Sequence, residues 1–151
     1  MKLKIAYACD HRGLGVKKQI IDILKSKGYD VCDCGTDSEA SCDYADFMLK
    51  AAELVGRGEC FRAVGVCYTG IGSAIAANKV RGVRAALVHC VEEARLSRAH
   101  NDSNMLILGA GFLDLKLIPE ILDVWLQTAF EGGRHEQRVN KIKAYEQSHG
   151  R

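Results

Sequence analysis

Much of what narrows this chain is missing from it. No apolar run approaches the roughly 20 residues needed to cross a bilayer, so no membrane partner is expected. The start, Met-Lys-Leu-Lys-Ile-Ala-Tyr-Ala, lacks the apolar core and cleavage site of a secretory leader and reads as a first strand. Basic residues number 21 against 19 acidic ones, with no basic stripe, which argues against a nucleic-acid surface. The seven cysteines are an odd number. They form no Cys-x-x-Cys pair and show no zinc-like spacing to the five histidines. Reduced thiols in a cytoplasmic protein without a metal site are therefore expected. With one proline, no low-complexity tract, no internal repeat and no linker, the 151 residues read as one domain spanning 1–151.

Missing motif residues narrow the chemistry further. Gly70-Ile-Gly72-Ser-Ala-Ile75 opens like a dinucleotide fingerprint, but the third glycine is absent and the turn does not follow the first strand. An NAD site is not expected. No Gly-Lys-Ser/Thr is present, which excludes a nucleotide P-loop. A cysteine phosphatase would close such a loop with an arginine, and position 73 is serine.

What is present is a regular alternation. Apolar strand candidates at 3–9, 29–34, 63–67, 83–89 and 105–108 alternate with helical segments, and no hairpin signal intervenes. The last two helices are placed at about 117–130 and 134–147, the first with Pro119 confined to its opening turn. Such a chain predicts a parallel five-stranded sheet with helices on both faces, a three-layer α/β/α Rossmann-like fold. The flavodoxin-like strand order 2-1-3-4-5 suits five strands. In that order the loops after strands 1 and 3 converge on the crevice where such sheets bind ligands. Those loops carry Asp10-His11 and Cys67-Tyr-Thr-Gly-Ile-Gly72.

Cys67 closes the valine-rich strand, and Gly70 and Gly72 then free the backbone for a turn into an alanine-rich helix. A thiol beneath unpaired backbone amides and a positive helix end ionises more readily than the reference value of about 8.5. The competing role, and the one assigned to the other six cysteines, is a small buried hydrophobe. Arg134 and Arg138 lie four apart on one helix face, either a solvated surface or a guanidinium pair for a phosphate. His100 lies between a helix and the start of strand 5, which the expected order puts at the opposite edge of the sheet from the Cys67 loop. It is either a polar turn residue or a group that reaches a Cys67 loop on another copy of the chain.

Five separated motifs together resemble ribose-5-phosphate isomerase of the B type, a family shared with galactose-6-phosphate isomerase subunits. They are Asp10-His11; Asp43-Tyr44; Cys67-x-Thr69-Gly70-Ile-Gly72-Ser-Ala-Ile-Ala-Ala-Asn-Lys79; Leu96-Ser-Arg-Ala-His100-Asn-Asp-Ser-Asn104; and Glu131-Gly-Gly-Arg-His-Glu-Gln-Arg138. The resemblance implies a cofactor-free aldose–ketose isomerase that interconverts ribose 5-phosphate and ribulose 5-phosphate. By carry-over, Cys67 moves the proton and His100, helped by Asp10, opens the sugar ring. Thr69 and the amides around Gly70 and Gly72 face the developing oxyanion, and Asn101 steadies sugar oxygens. His11, Arg134 and Arg138 hold the phosphate, and Tyr44 contacts substrate. The resemblance also implies a homodimer, or a tetramer of such pairs, with sites shared between subunits and the last helix packed at the subunit interface.

Three positions depart from the family pattern: Tyr68 where glycine is usual, Gly111 where many members carry arginine, and Ala45 where proline is usual. They leave open an isomerase of another aldose phosphate, such as a hexose 6-phosphate. From a different class, a non-catalytic sugar-phosphate-binding protein is the other alternative.

Overall fold

A computed structural model describes residues 1–150; Arg151, the last residue of the expected domain, lies outside the described residues. Five strands form one parallel sheet: β1 (Lys4–Cys9), β2 (Asp30–Asp33), β3 (Arg62–Cys67), β4 (Ala85–Leu87) and β5 (Met105–Gly109). The helices are α1 (Lys17–Ser26), α2 (Tyr44–Gly56), α3 (Ile71–Ala77), α4 (Val91–Asn101), α5 (Ile118–Gln127) and α6 (Arg134–His149). No helix among the described residues is long and apolar enough to cross a membrane.

The expected α/β/α fold is present, with one change in strand order. The sheet runs 2-1-3-5-4, so the last two strands are exchanged relative to 2-1-3-4-5. The reason is burial. Met-Leu-Ile-Leu-Gly of β5 is buried throughout and pairs with β3, whereas β4 is three half-buried residues and takes the edge. Parallel sheets hide their most apolar strands in the middle, and short strands make safer edges. The central reversal between β1 and β3 is unaffected.

Alternation along the strands sorts the core into two unequal layers. On one face Ile5, Tyr7, Val64, Val66, Leu106 and Leu108 meet Ile20 and Leu24 of α1 and Ile118, Ile121, Leu122 and Trp125 of α5. On the other, small residues dominate the strands: Ala6, Ala8 and Ala63 lie against Met48, Ala51 and Ala52 of α2. Gly65 belongs to this thin face. A methyl there would come within 2.6 Å of Met48 Sδ and 2.8 Å of Ile107 Cδ1, so α2 sits closer to the sheet than any side chain at 65 would permit.

Boundaries moved where tertiary contacts overrode local pattern. The α4 helix runs through His100 and Asn101, which were expected in a connection, and Asp102 closes it in the left-handed region at φ +46. The α5 helix stops at Gln127 rather than near 130, and α6 continues to His149. The α6 helix packs on α4 through buried His135 and Val139, leaving Ile142 and Tyr145 exposed.

Candidate active site

At the C-terminal end of the sheet, β1 and β3 deliver their loops side by side. Asp10, 5% exposed, turns its Oδ1 back to accept the amides of Arg12 (2.9 Å) and Gly13 (3.1 Å), which fixes the loop. Gly13 is required there, because a Cβ would fall 2.4 Å from the Val66 carbonyl oxygen. His11 Nδ1 lies 3.2 Å from the Cys42 amide, which donates to it. Neutral His11 must then carry its proton on Nε2 and offer a donor outward.

Cys67 ends β3 opposite Gly109 of β5 and is 4% exposed. Its sulfur accepts the Gly70 amide at 3.2 Å. Gly70 holds φ +77, and a Cβ would strike Leu87 at 2.3 Å, so only glycine fits this turn. Thr69 Oγ1 accepts the Ile71 amide at 3.1 Å. The first-turn amides of Gly72 and Ser73 have no acceptor among the described residues. The expected amide cradle is therefore divided: Gly70 serves the sulfur, and the amides that follow Ile71 are left for an external acceptor. Tyr44, at the start of α2, lies against Gly72, whose missing Cβ would sit 2.4–2.7 Å from the tyrosine ring and hydroxyl.

Asp10, His11, Tyr44, Cys67, Thr69, Gly70 and Gly72 are thus gathered at one end. His100, Asn101, Arg134 and Arg138 are at the other. Met105, four residues before Gly109, starts the strand, so the two groups are separated by at least the length of β5, about 13 Å at 3.3 Å per residue.

The second group has its own architecture. The His100 ring stacks on His135 at 4.0 Å and 9°, and Glu131 Oε2 lies 3.9 Å from His100 Nε2 and 3.7 Å from His135 Nε2. These three residues could hold a metal ion. Burial, followed by the charges of His100 and Arg134, pulls the His135 imidazole below its ordinary range. Arg134 and Arg138 are exposed and form no ion pair among the described residues.

A buried network anchors the end of α4. Trp125 Nε1 donates to Ser103 Oγ at 2.9 Å, and Ser103 donates to Ser97 at 3.0 Å. Arg98 holds Asp102 at 2.8 Å and the Ser103 carbonyl at 2.5 Å. Beneath it Arg62 donates to the carbonyls of Trp125 and Leu126, and burial, then Arg98, pulls its guanidinium down to about 10. Glu131 is tied to α4 by its amide on the Ala99 carbonyl, 3.0 Å.

Sequence reasoning gave no role to Glu131 and His135. Their four-residue spacing was visible, but His100 lies 31 residues before Glu131, and only the fold brings it there.

The fold agrees with what the chain is similar to. The family model described as ribose/galactose isomerase matches residues 5–142. The chain belongs to that family. Ribose-5-phosphate isomerase B of Escherichia coli is 43% identical over 144 residues, covering 95% of this chain and 97% of its own. A Clostridium thermocellum ribose-5-phosphate isomerase B structure matches with a TM-score of 0.94 at 48% identity, covering 98% and 100% of the two chains. Another, from Mycoplasma genitalium with bound ribulose-5-phosphate, matches at 0.93 and 40% identity, covering 97% and 98%. Members of the ribose/galactose isomerase family thus share this fold from end to end.

Proposed function

We propose that this chain is an aldose–ketose isomerase that interconverts ribose 5-phosphate and ribulose 5-phosphate at a site shared between two copies of the chain. The observation that carries the reading is the division of the site. A thiol under an amide turn stands at one end of the sheet, and an imidazole with two unpaired arginines stands at the other. Neither end alone holds a base, a ring-opening group and a phosphate clamp. A two-fold dimer that sets one copy's C-terminal sheet end against the other's α4–α6 end completes both sites at once. The exposed face of α6 belongs at that interface.

In the reaction, His100 of one copy, with Asp10 of the other, moves the proton that opens the furanose. Cys67 as base then takes the C2 proton, the electron pair forms the C1–C2 double bond of the enediolate, and the carbonyl oxygen gains negative charge. The proton of the C2 hydroxyl passes to O1, the Cys67 thiol returns its proton to C1, and the carbonyl is left at C2 with a hydroxyl at C1. Atoms and electrons balance within the sugar. Thr69 and the amides of Gly72 and Ser73 are placed to meet the oxyanion, while Gly70 keeps its hydrogen bond to sulfur. Asn101 and Tyr44 position sugar hydroxyls. Arg134 and Arg138 take the phosphate bidentately, and His11 donates to it through Nε2.

A coupled assay over a panel of aldose phosphates tests this, with rates compared as kcat/KM. Ribose 5-phosphate is expected to rank first, and Cys67→Ala to lose about 10²–10⁴ of that rate. Wild-type turnover in Cys67→Ala would remove the thiol from the mechanism. A hexose 6-phosphate ranking first would keep the chemistry and change the sugar. Tyr68 and Gly111 at the mouth are the positions that favour testing it.

A further inference from the structure

Tyr68 and Gly111 are two halves of one contact. A Cβ on Gly111 would lie 2.2 Å from Tyr68 Cε2 and 2.6 Å from Cδ2 and Cζ, so the ring occupies the space a side chain at 111 would need. Phe112 meets the same ring edge-on at 5.7 Å. On the ring sits the Arg12 guanidinium, its central carbon 4.3 Å from the ring centroid. Arg12 follows Asp10 and His11 on the same loop, and its amide is already held by Asp10. It forms no ion pair among the described residues. Arg12, Tyr68 and Gly111 line a cavity of about 300 Å³, floored by Gly15, Val16 and Ala110.

A guanidinium held by an aromatic face keeps its full charge and its N–H donors, whereas one held by a carboxylate has both engaged. Here the ring fixes the position of the cation and leaves its edge unneutralised. It stands on the loop that presents His11, one residue further along. Resting on the isomerase reading above, we propose that Arg12, seated on Tyr68, is a further binding residue for the phosphoryl group of the substrate. It makes the chain selective for a phosphorylated over a neutral sugar. Tyr68 is its positioning residue, and the bare Gly111 makes room for that ring.

The test compares Arg12→Ala, Tyr68→Ala and Tyr68→Phe in ribose 5-phosphate turnover, with inorganic phosphate as competitive inhibitor and thermal melting as the check on folding. Arg12→Ala is expected to raise KM and the phosphate inhibition constant together by about ten- to a hundredfold, the range of a lost charge-assisted contact, with kcat nearly unchanged. Tyr68→Ala should follow it in the same direction and Tyr68→Phe should not, because the phenyl face still seats the cation. In Tyr68→Gly/Arg12→Ala, an added Gly111→Arg should recover part of the lost phosphate affinity, since the space above 111 is then open. Unchanged KM and phosphate inhibition in Arg12→Ala, with the wild type active, overturns this assignment and leaves the isomerase standing. A wild type that neither turns over nor binds any sugar phosphate overturns both.

Discussion

The C-terminal end of the sheet presents main chain, the N-terminal end side chains. Around Cys67 the features are a turn that only glycine can make and amides left free by the start of a helix. Around His100 they are a stacked imidazole pair, a carboxylate and two arginines, held by a buried lattice of Arg98, Asp102, Ser103 and Trp125. Backbone devices tolerate almost no substitution, because the substituent itself is the obstruction. A side-chain lattice fails by degrees as its hydrogen bonds are removed one at a time. The two ends should therefore respond differently to mutation.

The sharpest test joins them. Cys67→Ala and His100→Ala, each expected to lose about 10²–10⁴ in kcat, should recover about a quarter of wild-type activity when mixed and allowed to exchange. Half of the resulting pairs are then hybrids with one intact site. No recovery after demonstrated exchange would place both groups in one chain's site and end the division. Next in size, Gly70→Ala is expected to cost about 2–4 kcal/mol, from backbone strain and the collision with Leu87, and to lower kcat with it. Urea unfolding measures the first effect and turnover the second.

On the other side, Ser103→Ala leaves Trp125 Nε1 without its acceptor and should cost about 1–3 kcal/mol, with activity falling less than in Gly70→Ala. Equal losses of activity in the two variants would erase the contrast. The smallest effect concerns pH. The folded imidazole of His135 titrates below 6.5, so on acidification the unfolded chain takes up this proton first. Its contribution should leave stability constant above about 6.5 and lower it as pH falls from there through the folded value. Around His135 stand His100, Arg134, Arg138 and Glu131, of which only Glu131 opposes the shift. In His135→Gln the melting temperature should fall less between pH 7 and 5 than in wild type.

Why one end was easier to read than the other follows from the same contrast. Cys67, Gly70 and Gly72 declare themselves within six residues, since glycine at a strand tip has a local cause. The imidazole pair joins positions 35 apart, and the Arg12–Tyr68 contact joins positions 56 apart, so no local spacing points to either. The exchange of β4 and β5 was legible in principle. Met-Leu-Ile-Leu is more apolar than the segment before it, and a strand so apolar belongs away from an edge. The stop of α4 at Asp102 was hidden, because its left-handed turn is held by Arg84 from outside the segment as well as by Arg98 within it.

Gly65 carries a consequence well beyond its strand. Because no side chain projects from it, α2 rests low on the sheet at Met48, one turn from Tyr44, and that height sets where Tyr44 meets Gly72. In the proposed site the seat of Tyr44 is thus calibrated from below, by the thickness of a buried layer. An alanine introduced at 65 would act as a shim, lifting the helix and displacing Tyr44 from Gly72 without itself reaching either residue.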